Sequence, residues 1–237
     1  MSRFYLTIDD SPTKCSREKL EFLNSRDIRA IWFCVGEYIP AASSFLTDCI
    51  KTGHFIGNHS YSHPHFSEIS LEAAKKEVLK TDNLIDELYR ASSQPRPAKL
   101  FRFPYGDQGN NVDGIASSKP AGIRNKKLVR QFLIDEGFQS GPFTNVQYFG
   151  KYAANRASDP FWGWSYDMQE YAIHLGGKLK LTIQEIRDNL HQYLQTFDGD
   201  KDQIVLIHDH EDTNQYFPEL IKQMLDQGIK FRIPAIT

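Results

Sequence analysis

The chain reads FYLTIDD from Phe4 to Asp10, a run of mostly apolar residues that ends in two carboxylates. Aromatic and β-branched residues dominate the run, and this composition predicts a buried β-strand. A second run of this kind, residues 204–207, is followed by His208 and Asp209. Reactive side chains directly after buried strands are typical of an active site at the carboxyl end of a parallel barrel. We therefore expect both groups at one face of the fold.

Predicted strands and helices alternate along the rest of the chain. Further strands are predicted at 30–35, 54–58, 100–103, 161–166 and 230–236, and helices at 16–25, 40–51, 70–90, 126–136, 182–197 and 214–227. Thr182 and Glu185 form the pattern of a capping box, and Gly53, Gly137 and Gly228 stand just past three of the helices. Repeated strand–helix order predicts a parallel α/β barrel, and 237 residues are enough for one such domain, residues 1–237.

Two segments lack this strand–helix pattern. Residues 106–124 are rich in Gly, Asn and Ser, which predicts a long loop, and residues 141–156 form no familiar pattern. Loops of this length often serve a function. The first segment could cover the mouth of the barrel and the second could shape its cleft, and the sequence does not decide either role.

The composition excludes several classes of function. A net charge of −2 implies no general attraction to nucleic acid or to an anionic membrane. No run approaches the ~20 apolar residues that span a bilayer. The first residues lack the apolar stretch of a signal peptide, so we expect a cytoplasmic protein unless a leader has been removed. Cys15, Cys34 and Cys49 include no C-x-x-C pair and predict free thiols.

Five segments that follow predicted strands carry the candidate site residues. They are Asp9 with Asp10, His59 with His63, Arg102 with Tyr105, Asp167 with Glu170, and His208 with Asp209. In a parallel barrel the ends of these strands meet at one mouth. Taken alone, residues 9–12 also fit a turn or a helix start, because Asp, Ser and Pro favour turns.

His59 and His63 stand four residues apart. On a helical turn both rings would face the same way, which is a usable spacing for two metal ligands. Taken by itself, the pair fits a metal site and a polar surface equally well. We interpret the neighbouring His54 and His65 as supporting or surface residues.

Arg102 lies in a predicted strand that is rich in Phe. A guanidinium at the mouth of a barrel needs a carboxylate partner, and Asp9 is the candidate. The run His208-Asp209-His210 follows an apolar strand and would be a poor choice for a core. This position favours a functional role for at least one of the two histidines, while Asp209 could simply cap or turn the chain.

In this order the five segments resemble the motifs of the polysaccharide deacetylases of carbohydrate esterase family 4, the NodB-homology domain. That family shares the elements T-F-D-D-G, H-[ST]-x-x-H, R-x-P-Y, D-x-x-D-W and L-x-H. They correspond to residues 7–11, 59–63, 102–105, 167–171 and 206–208. The second, third and fifth elements match fully. The first has Ile for Phe and Ser for Gly, and the fourth has Glu for Asp and Tyr for Trp.

The resemblance implies a distorted (β/α)7 barrel, TIM-like, that removes acetyl groups from an acetylated carbohydrate. It implies one divalent metal ion held by Asp10, His59 and His63, with Asp9 as general base and His208 as general acid. Two nitrogen ligands and one oxygen ligand suit zinc best, and cobalt, nickel, iron and manganese stay open.

The resemblance also assigns supporting roles around these residues. Arg102 would orient Asp9, the backbone N–H of Tyr105 would hold the oxyanion, and the fourth element, with Asp167 and Glu170, would orient His208. Leu206, Tyr171 and Trp164 would line the substrate pocket. Between the two acidic residues we predict that Glu170 contacts His208, because a carboxylate is kept at that place in the motif.

Other functions fit the same residues. One alternative is an O-acetyl esterase, or a hydrolase of another carbon–nitrogen bond, on the same fold. Another is a sugar-binding homologue without catalysis, since two motifs carry substitutions. No G-x-S-x-G element is present, which argues against a serine nucleophile.

Overall fold

The computed structural model describes residues 3–109, 111–112, 115–116, 120–139, 146 and 159–235. Its centre is a parallel sheet of five strands in the order β3-β2-β1-β7-β6. The strands are β1 (Phe4–Ser11), β2 (Ala30–Cys34), β3 (Phe55–Asn58), β6 (Tyr166–Asp167) and β7 (Gln203–His208), while β4 (Asn111–Val112) and β5 (Ile115–Ala116) form a separate antiparallel pair. The first and last long strands, β1 and β7, are direct neighbours.

Single hydrogen bonds close this sheet into a barrel. Phe101 bridges to Asn58 at the edge of β3, and the carbonyl oxygen of Phe101 accepts the N–H of Trp162 at 2.8 Å. On the other side Ser165 donates its N–H to the carbonyl of Ile204 in β7 at 2.9 Å. The segment from 162 to 165 therefore joins both edges, and the predicted parallel α/β barrel is confirmed.

Three predicted strands are much shorter than expected. Residues 100–103 form a single bridge, and only Tyr166 and Asp167 of the fourth motif region form a strand. The carbonyls of Trp162 and Gly163 accept hydrogen bonds from the buried guanidinium of Arg102, so they are not free for a ladder. In the last predicted strand only residue 231 bridges, to Phe4, while residue 236 lies outside the described residues.

In the described part of the chain, six α-helices pack around the barrel. They are α1 (Ser16–Asn24), α2 (Ser43–Lys51), α3 (Leu71–Ser92), α4 (Pro120–Asp135), α5 (Ile183–Thr196) and α6 (Phe217–Asp226). Two predicted helices begin instead with separate 3₁₀ turns, at Pro40–Ala42 and Asn214–Tyr216. The capping box of Thr182 and Glu185 is present. Along the described stretches of the chain, none of the helices is both long and apolar enough to span a membrane.

The predicted long loop at 106–124 is wrong in part. It contains the short strands β4 and β5, and α4 already begins at Pro120. A proline suits the first turn of a helix, because its missing N–H has no partner there and its φ is preset. The predicted role of residues 141–156 lies outside the described residues, with the exception of residue 146.

Alternation along the strands places the polar residues of the site inside the barrel. On β1 the side chains of Phe4, Leu6 and Ile8 join the outer core against the helices, whereas Tyr5 packs in an interior cluster. That interior cluster also contains Ile31, Phe33, Leu100, Trp162 and Ile204. Because successive side chains of a strand point to opposite faces, Thr7 and Asp9 share the inner face with Tyr5. The barrel is thus apolar at its amino end and polar at its mouth.

The three cysteines carry free thiols, as the sequence predicts. Cys34 ends β2 and Cys49 lies in α2, and both are fully buried in the outer core. Burial raises the pKa of both thiols well above the ordinary value, so they are inert neutral groups.

Candidate active site

A cleft of about 630 Å³ opens at the carboxyl end of the strands. All but two of the twelve residues to which the resemblance assigns a role line it: Asp9, Asp10, His59, His63, Tyr105, Trp164, Asp167, Tyr171, Leu206 and His208. The two exceptions, Arg102 and Glu170, are buried behind the wall of the cleft, at 0% and 1% exposure. The tertiary structure therefore gathers the five sequence motifs at one place.

Three side chains in the cleft form a group that could hold a metal ion: Asp10, His59 and His63. Oδ1 of Asp10 lies 3.4 Å from Nε2 of His59 and 3.1 Å from Nε2 of His63, and the two nitrogens are 3.2 Å apart. Metal–ligand bonds of ~2.0–2.1 Å in a tetrahedral site put neighbouring donor atoms about 3.3 Å apart. The spacing of this group thus fits a divalent metal such as zinc.

The protonation of the group also fits a cation. Oδ1 of Asp10 is buried and accepts no hydrogen bond, so it is available to a metal. Burial lowers the pKa of His63, which favours the neutral imidazole that a metal ligand requires. Nδ1 of His59 lies 2.8 Å from the carbonyl oxygen of Arg102 and donates its hydrogen there, because a carbonyl can only accept. This bond fixes the tautomer of His59 with its lone pair on Nε2, facing the group.

The loop that carries the two histidines is not the helical turn suggested by their spacing. Ser60 and His63 both adopt left-handed backbone conformations, with φ of 65° and 56°. Oε2 of Glu77, in α3, accepts the backbone N–H groups of Tyr61 and Ser62 at 2.9 and 2.7 Å. A carboxylate from a neighbouring helix therefore shapes this loop, and local helical periodicity does not.

Asp9 and Arg102 form the ion pair that the sequence predicts. Nη1 of Arg102 lies 2.7 Å from Oδ1 of Asp9 and 2.8 Å from Oγ1 of Thr7, and Nη2 donates to the carbonyl of Gly163 at 3.0 Å. These partners satisfy a guanidinium that is wholly removed from water. Oδ2 of Asp9 remains free of Arg102 and lies 3.7 Å from Nε2 of His59. The carboxylate is thus oriented toward the candidate metal group.

His208 is held by Glu170, the partner chosen from the motif. Oε1 of Glu170 accepts the backbone N–H of His208 at 2.7 Å and lies 3.0 Å from Nδ1 of its ring. Burial alone lowers the pKa of His208, but the charge and hydrogen bond of Glu170, with the carboxylates of Asp10 and Asp167, outweigh it and raise the pKa to about 10. The imidazole is therefore charged at neutral pH in this environment.

Asp167 occupies the wall of the cleft beside this pair. Its Oδ1 accepts the backbone N–H of Gln169 at 3.0 Å, and burial raises its pKa to about 6. Gln169 has a left-handed backbone with φ of 58°, directly before the 3₁₀ turn that begins at Glu170. This sharp turn brings the side chain of Glu170, which is longer than the Asp of the family motif, into contact with His208.

The predicted substrate-binding residues surround the reactive groups. The ring of Tyr171 meets His208 edge-on at a centroid distance of 4.8 Å. Leu206 is buried two residues before His208, on the same face of β7. Trp164 lies with its ring 5.5 Å from the guanidinium carbon of Arg102. Tyr105 is 53% exposed at the rim, in a left-handed conformation, and its ring stacks on His65 at 3.9 Å. His65 is thus a supporting residue, as the sequence suggests.

The structure gives a specific contact to His210, one of the two histidines of the run His208-Asp209-His210, to which the sequence analysis assigned no role of its own. Its Nε2 lies 2.8 Å from Oδ2 of Asp10, and its ring stacks on His208 at 5.3 Å. Burial would raise the pKa of Asp10, but the hydrogen bond from His210 and the nearby imidazoles of His59 and His63 hold it well below the usual range. Alternate residues of an extended chain point to the same side, so the spacing of His208 and His210 was the available signal.

Asp209 does more than cap or turn the chain. It is fully buried, and its Oδ1 lies 2.6 Å from the ammonium group of Lys19, which is buried as well. Its Oδ2 accepts hydrogen bonds from the hydroxyl groups of Ser11 and Ser16 and from the N–H of Thr13. A buried ion pair with this many partners ties the end of β7 to the loop between β1 and α1.

Comparison with known proteins agrees with this arrangement. A profile of the family described as polysaccharide deacetylase matches residues 2–125. The chain is 30% identical over 103 residues to a peptidoglycan-N-acetylglucosamine deacetylase of Bacillus cereus, an alignment that covers 43% of this chain and 36% of that protein. It is 30% identical over 120 residues to a chitooligosaccharide deacetylase of a Bradyrhizobium species, covering 50% of this chain and 52% of that protein. The chain therefore spans about half, or less, of the length of these relatives.

A solved structure extends the similarity to the whole fold. The family 4 carbohydrate esterase from Streptomyces lividans, in complex with acetate, superposes with a TM-score of 0.63 over 98% of this chain and 92% of that chain, at 19% identity. At this identity the likeness shows the fold, which is the distorted (β/α)7 barrel expected from the motifs. The chain belongs to the polysaccharide deacetylase family, carbohydrate esterase family 4.

Proposed function

We propose that this protein hydrolyses N-acetyl groups of a carbohydrate and releases acetate, with zinc as the expected metal ion. One observation carries the proposal. The group formed by Asp10, His59 and His63 lies in the same cleft as an oriented carboxylate, Asp9, and a charged imidazole, His208. Amide hydrolysis needs a base for the attacking water and an acid for the leaving nitrogen, and the two residues supply both.

A metal ion in this group would activate water and polarise the acetyl carbonyl. Asp9 accepts a proton from the attacking water, because Arg102 binds its Oδ1 and leaves Oδ2 directed toward His59. The new bond joins the water oxygen to the acetyl carbon, and the carbon–nitrogen bond breaks. His208 then gives its proton to the departing nitrogen, so the products are acetate and a free amine.

Other residues complete this assignment as positioning and binding groups. Glu170 keeps His208 charged and aligned through its ring nitrogen and its backbone N–H. Leu206, Tyr171 and Trp164 provide an apolar wall for the acetyl methyl group. We assign the backbone N–H of Tyr105 to the oxyanion, because Tyr105 lines the cleft beside the metal group.

The substrate we favour is a glycan that contains N-acetylated amino sugars. Relatives that match this chain are a peptidoglycan-N-acetylglucosamine deacetylase and a chitooligosaccharide deacetylase. The cleft is open to solvent at the mouth of the barrel and is lined by exposed Tyr105, which suits a sugar ring as a stacking surface.

An acetate-release assay tests the proposal. The purified protein is stripped with a chelator, reloaded with zinc, cobalt, nickel, iron or manganese, and given chitooligosaccharides, peptidoglycan and acetylated xylan. We expect metal-dependent acetate release from the N-acetylated substrates, and release slower by ~10²–10⁴-fold from Asp9→Asn carrying the same metal. Release from the xylan alone would instead assign an O-acetyl esterase, and metal binding without any release would assign a sugar-binding homologue.

A further inference from the structure

His210 contacts only one of the two oxygens of the carboxylate of Asp10. Its Nε2 lies 2.8 Å from Oδ2, whereas Oδ1 faces His59 and His63 at 3.4 and 3.1 Å and is buried without a hydrogen bond. A carboxylate can only accept, so Nε2 of His210 carries the hydrogen of this contact. One oxygen of Asp10 is thus occupied by the protein, and the other is left for a cation.

The backbone around His210 is firmly anchored. The N–H of Asp209 donates to the carbonyl of Asp9 at 2.8 Å, which continues the pairing of β7 with β1 beyond His208. The buried side chain of Asp209 pairs with Lys19, whose ammonium group also lies 3.4 Å from the carbonyl oxygen of His210. His210 is therefore delivered from a rigid point of the fold, although its own side chain is 34% exposed.

Asp10 receives this support where the regular geometry of the strand ends. Its backbone is in the left-handed region, with φ of 62°, at the place where β1 runs out. His59 already has its own support in the carbonyl of Arg102 at 2.8 Å. Residues that hold a metal ligand through a second hydrogen bond typically contribute a factor of ~10–100 to metal affinity.

We propose that His210 is a positioning residue of the metal group: its Nε2–H holds Oδ2 of Asp10, so that Oδ1 alone is presented to the ion. This inference rests on the proposed metal site. It adds a fourth imidazole to the three in the sequence motifs, and the ring of His210 lies on the same side of the chain as that of His208, 5.3 Å away.

Three substitutions at His210 distinguish the effect of its hydrogen bond from the effect of its size. In His210→Gln the amide nitrogen stands as many bonds from Cα as Nε2 of histidine, so it can donate to Asp10. In His210→Asn the amide nitrogen stands at the place of Nδ1 and falls short. His210→Met has the length of Gln and no donor. The partly exposed position accommodates all three, and thermal melts of the metal-free proteins check that the fold is kept.

The readout is the zinc dissociation constant, measured by competition with a chromophoric chelator. We expect Gln to bind zinc within about threefold of the unaltered protein, and Asn and Met to bind ~10–100-fold more weakly. The matched control is His174→Ala, because His174 lines the same cleft and its ring faces Asp212 at 3.4 Å. Its zinc affinity should be unchanged.

Two results would overturn the inference while the metal site stands. One is unaltered affinity in Asn and Met when His59→Ala has lost zinc. The other is equal weakening in Gln and Met, which would show that the hydrogen bond is not what counts. Failure of the unaltered protein to bind zinc would overturn the metal site and this inference together.

Discussion

Asp9 and His208 lie directly opposite each other in the register of the parallel strands β1 and β7. Registered partners on neighbouring strands share a face, and here both side chains enter the cleft. The first and last long strands of the chain therefore bring the proposed base and acid to one point. Their supports come from elsewhere, since Arg102 lies in the segment that bridges to the end of β3 and Glu170 follows β6.

Removal of either imidazole of the metal group should abolish bound metal. We expect His59→Ala and His63→Ala to lose stoichiometric zinc and deacetylase activity, because two donors cannot hold the ion as three do. Elemental analysis of the purified variants, with circular dichroism for the fold, measures this. His65→Ala is the control, because His65 stacks on Tyr105 outside the group and should leave zinc in place. Full zinc occupancy in both variants would refute the assignment.

Loss of the carboxylate charge at Asp9 should separate metal binding from catalysis. Asp9→Asn keeps the shape of the side chain and cannot accept a proton, so we expect turnover to fall ~10²–10⁴-fold with zinc retained. Steady-state kinetics and metal analysis on the same preparation test this. Asp212→Asn, another acid that lines the cleft, should change turnover little. Turnover at the unaltered level in Asp9→Asn would mean that the water is activated by another group.

The pH profile should report the contact between Glu170 and His208. His208 acts as an acid only while it carries its proton, so the rate falls as pH rises through its pKa. Glu170 raises that pKa toward about 10 from an ordinary value of 6.5, so Glu170→Gln should lower turnover and move the alkaline limb to lower pH. Asp167→Asn should leave the limb near its place, because the contact to Nδ1 comes from Glu170. A shifted limb in Asp167→Asn with an unshifted limb in Glu170→Gln would reverse the assignment.

His54 should make the fold sensitive to acid. Its Nδ1 accepts the N–H groups of Ala30 and Trp32, and burial lowers its pKa from 6.5 to about 3. Below pH 6.5 this histidine is protonated in the unfolded chain and stays neutral in the folded chain. The stability that its neutral form contributes is therefore fully present above pH 6.5 and is lost as pH falls toward 3. Between pH 7 and pH 5 this one group should remove about 2 kcal/mol from the free energy of unfolding.

Urea unfolding at the two pH values measures that loss. His54→Asn should reduce it, because Oδ1 of asparagine can stand in for Nδ1 as the acceptor and does not titrate. His191→Asn on an exposed face of α5 serves as the matched control and should retain the full loss. An unchanged loss in His54→Asn would place the acid sensitivity in other groups.

The buried ion pair of Lys19 and Asp209 should be costly to break. Lys19→Met leaves an uncompensated carboxylate at the end of β7 and should lower the free energy of unfolding by about 3–5 kcal/mol. Urea unfolding of the metal-free protein gives this value. Arg17→Met breaks an exposed pair with Asp48 and should cost less than about 1 kcal/mol. A small effect in Lys19→Met would show that the hydroxyl and N–H partners suffice for Asp209.

The alternation of apolar runs and amphipathic helices determined the parallel α/β order. An apolar strand is buried on both faces and an amphipathic helix on one face, so the helices must cover the sheet. Thus β1, β2, β3 and β7 lie where the sequence predicts them. The sequence predicts strands at 100–103 and 161–166 that are longer than those in the structure. Hydrophobic residues can pack inside a barrel without forming a ladder of hydrogen bonds. The carbonyls of Trp162 and Gly163 turn to the guanidinium of Arg102, and that competition is invisible in the local sequence.

For the site, the sequence by itself determined the candidate residues, since Asp9, Asp10, His59, His63 and His208 stand in ordered motifs at strand ends. Only the tertiary structure decided which oxygen or nitrogen of each faces which partner. Glu77 bends the histidine loop from another helix, and His210 reaches back to Asp10 across 200 residues of chain. Such contacts depend on angles and distances between distant segments, and the linear order of residues does not encode these in any local pattern.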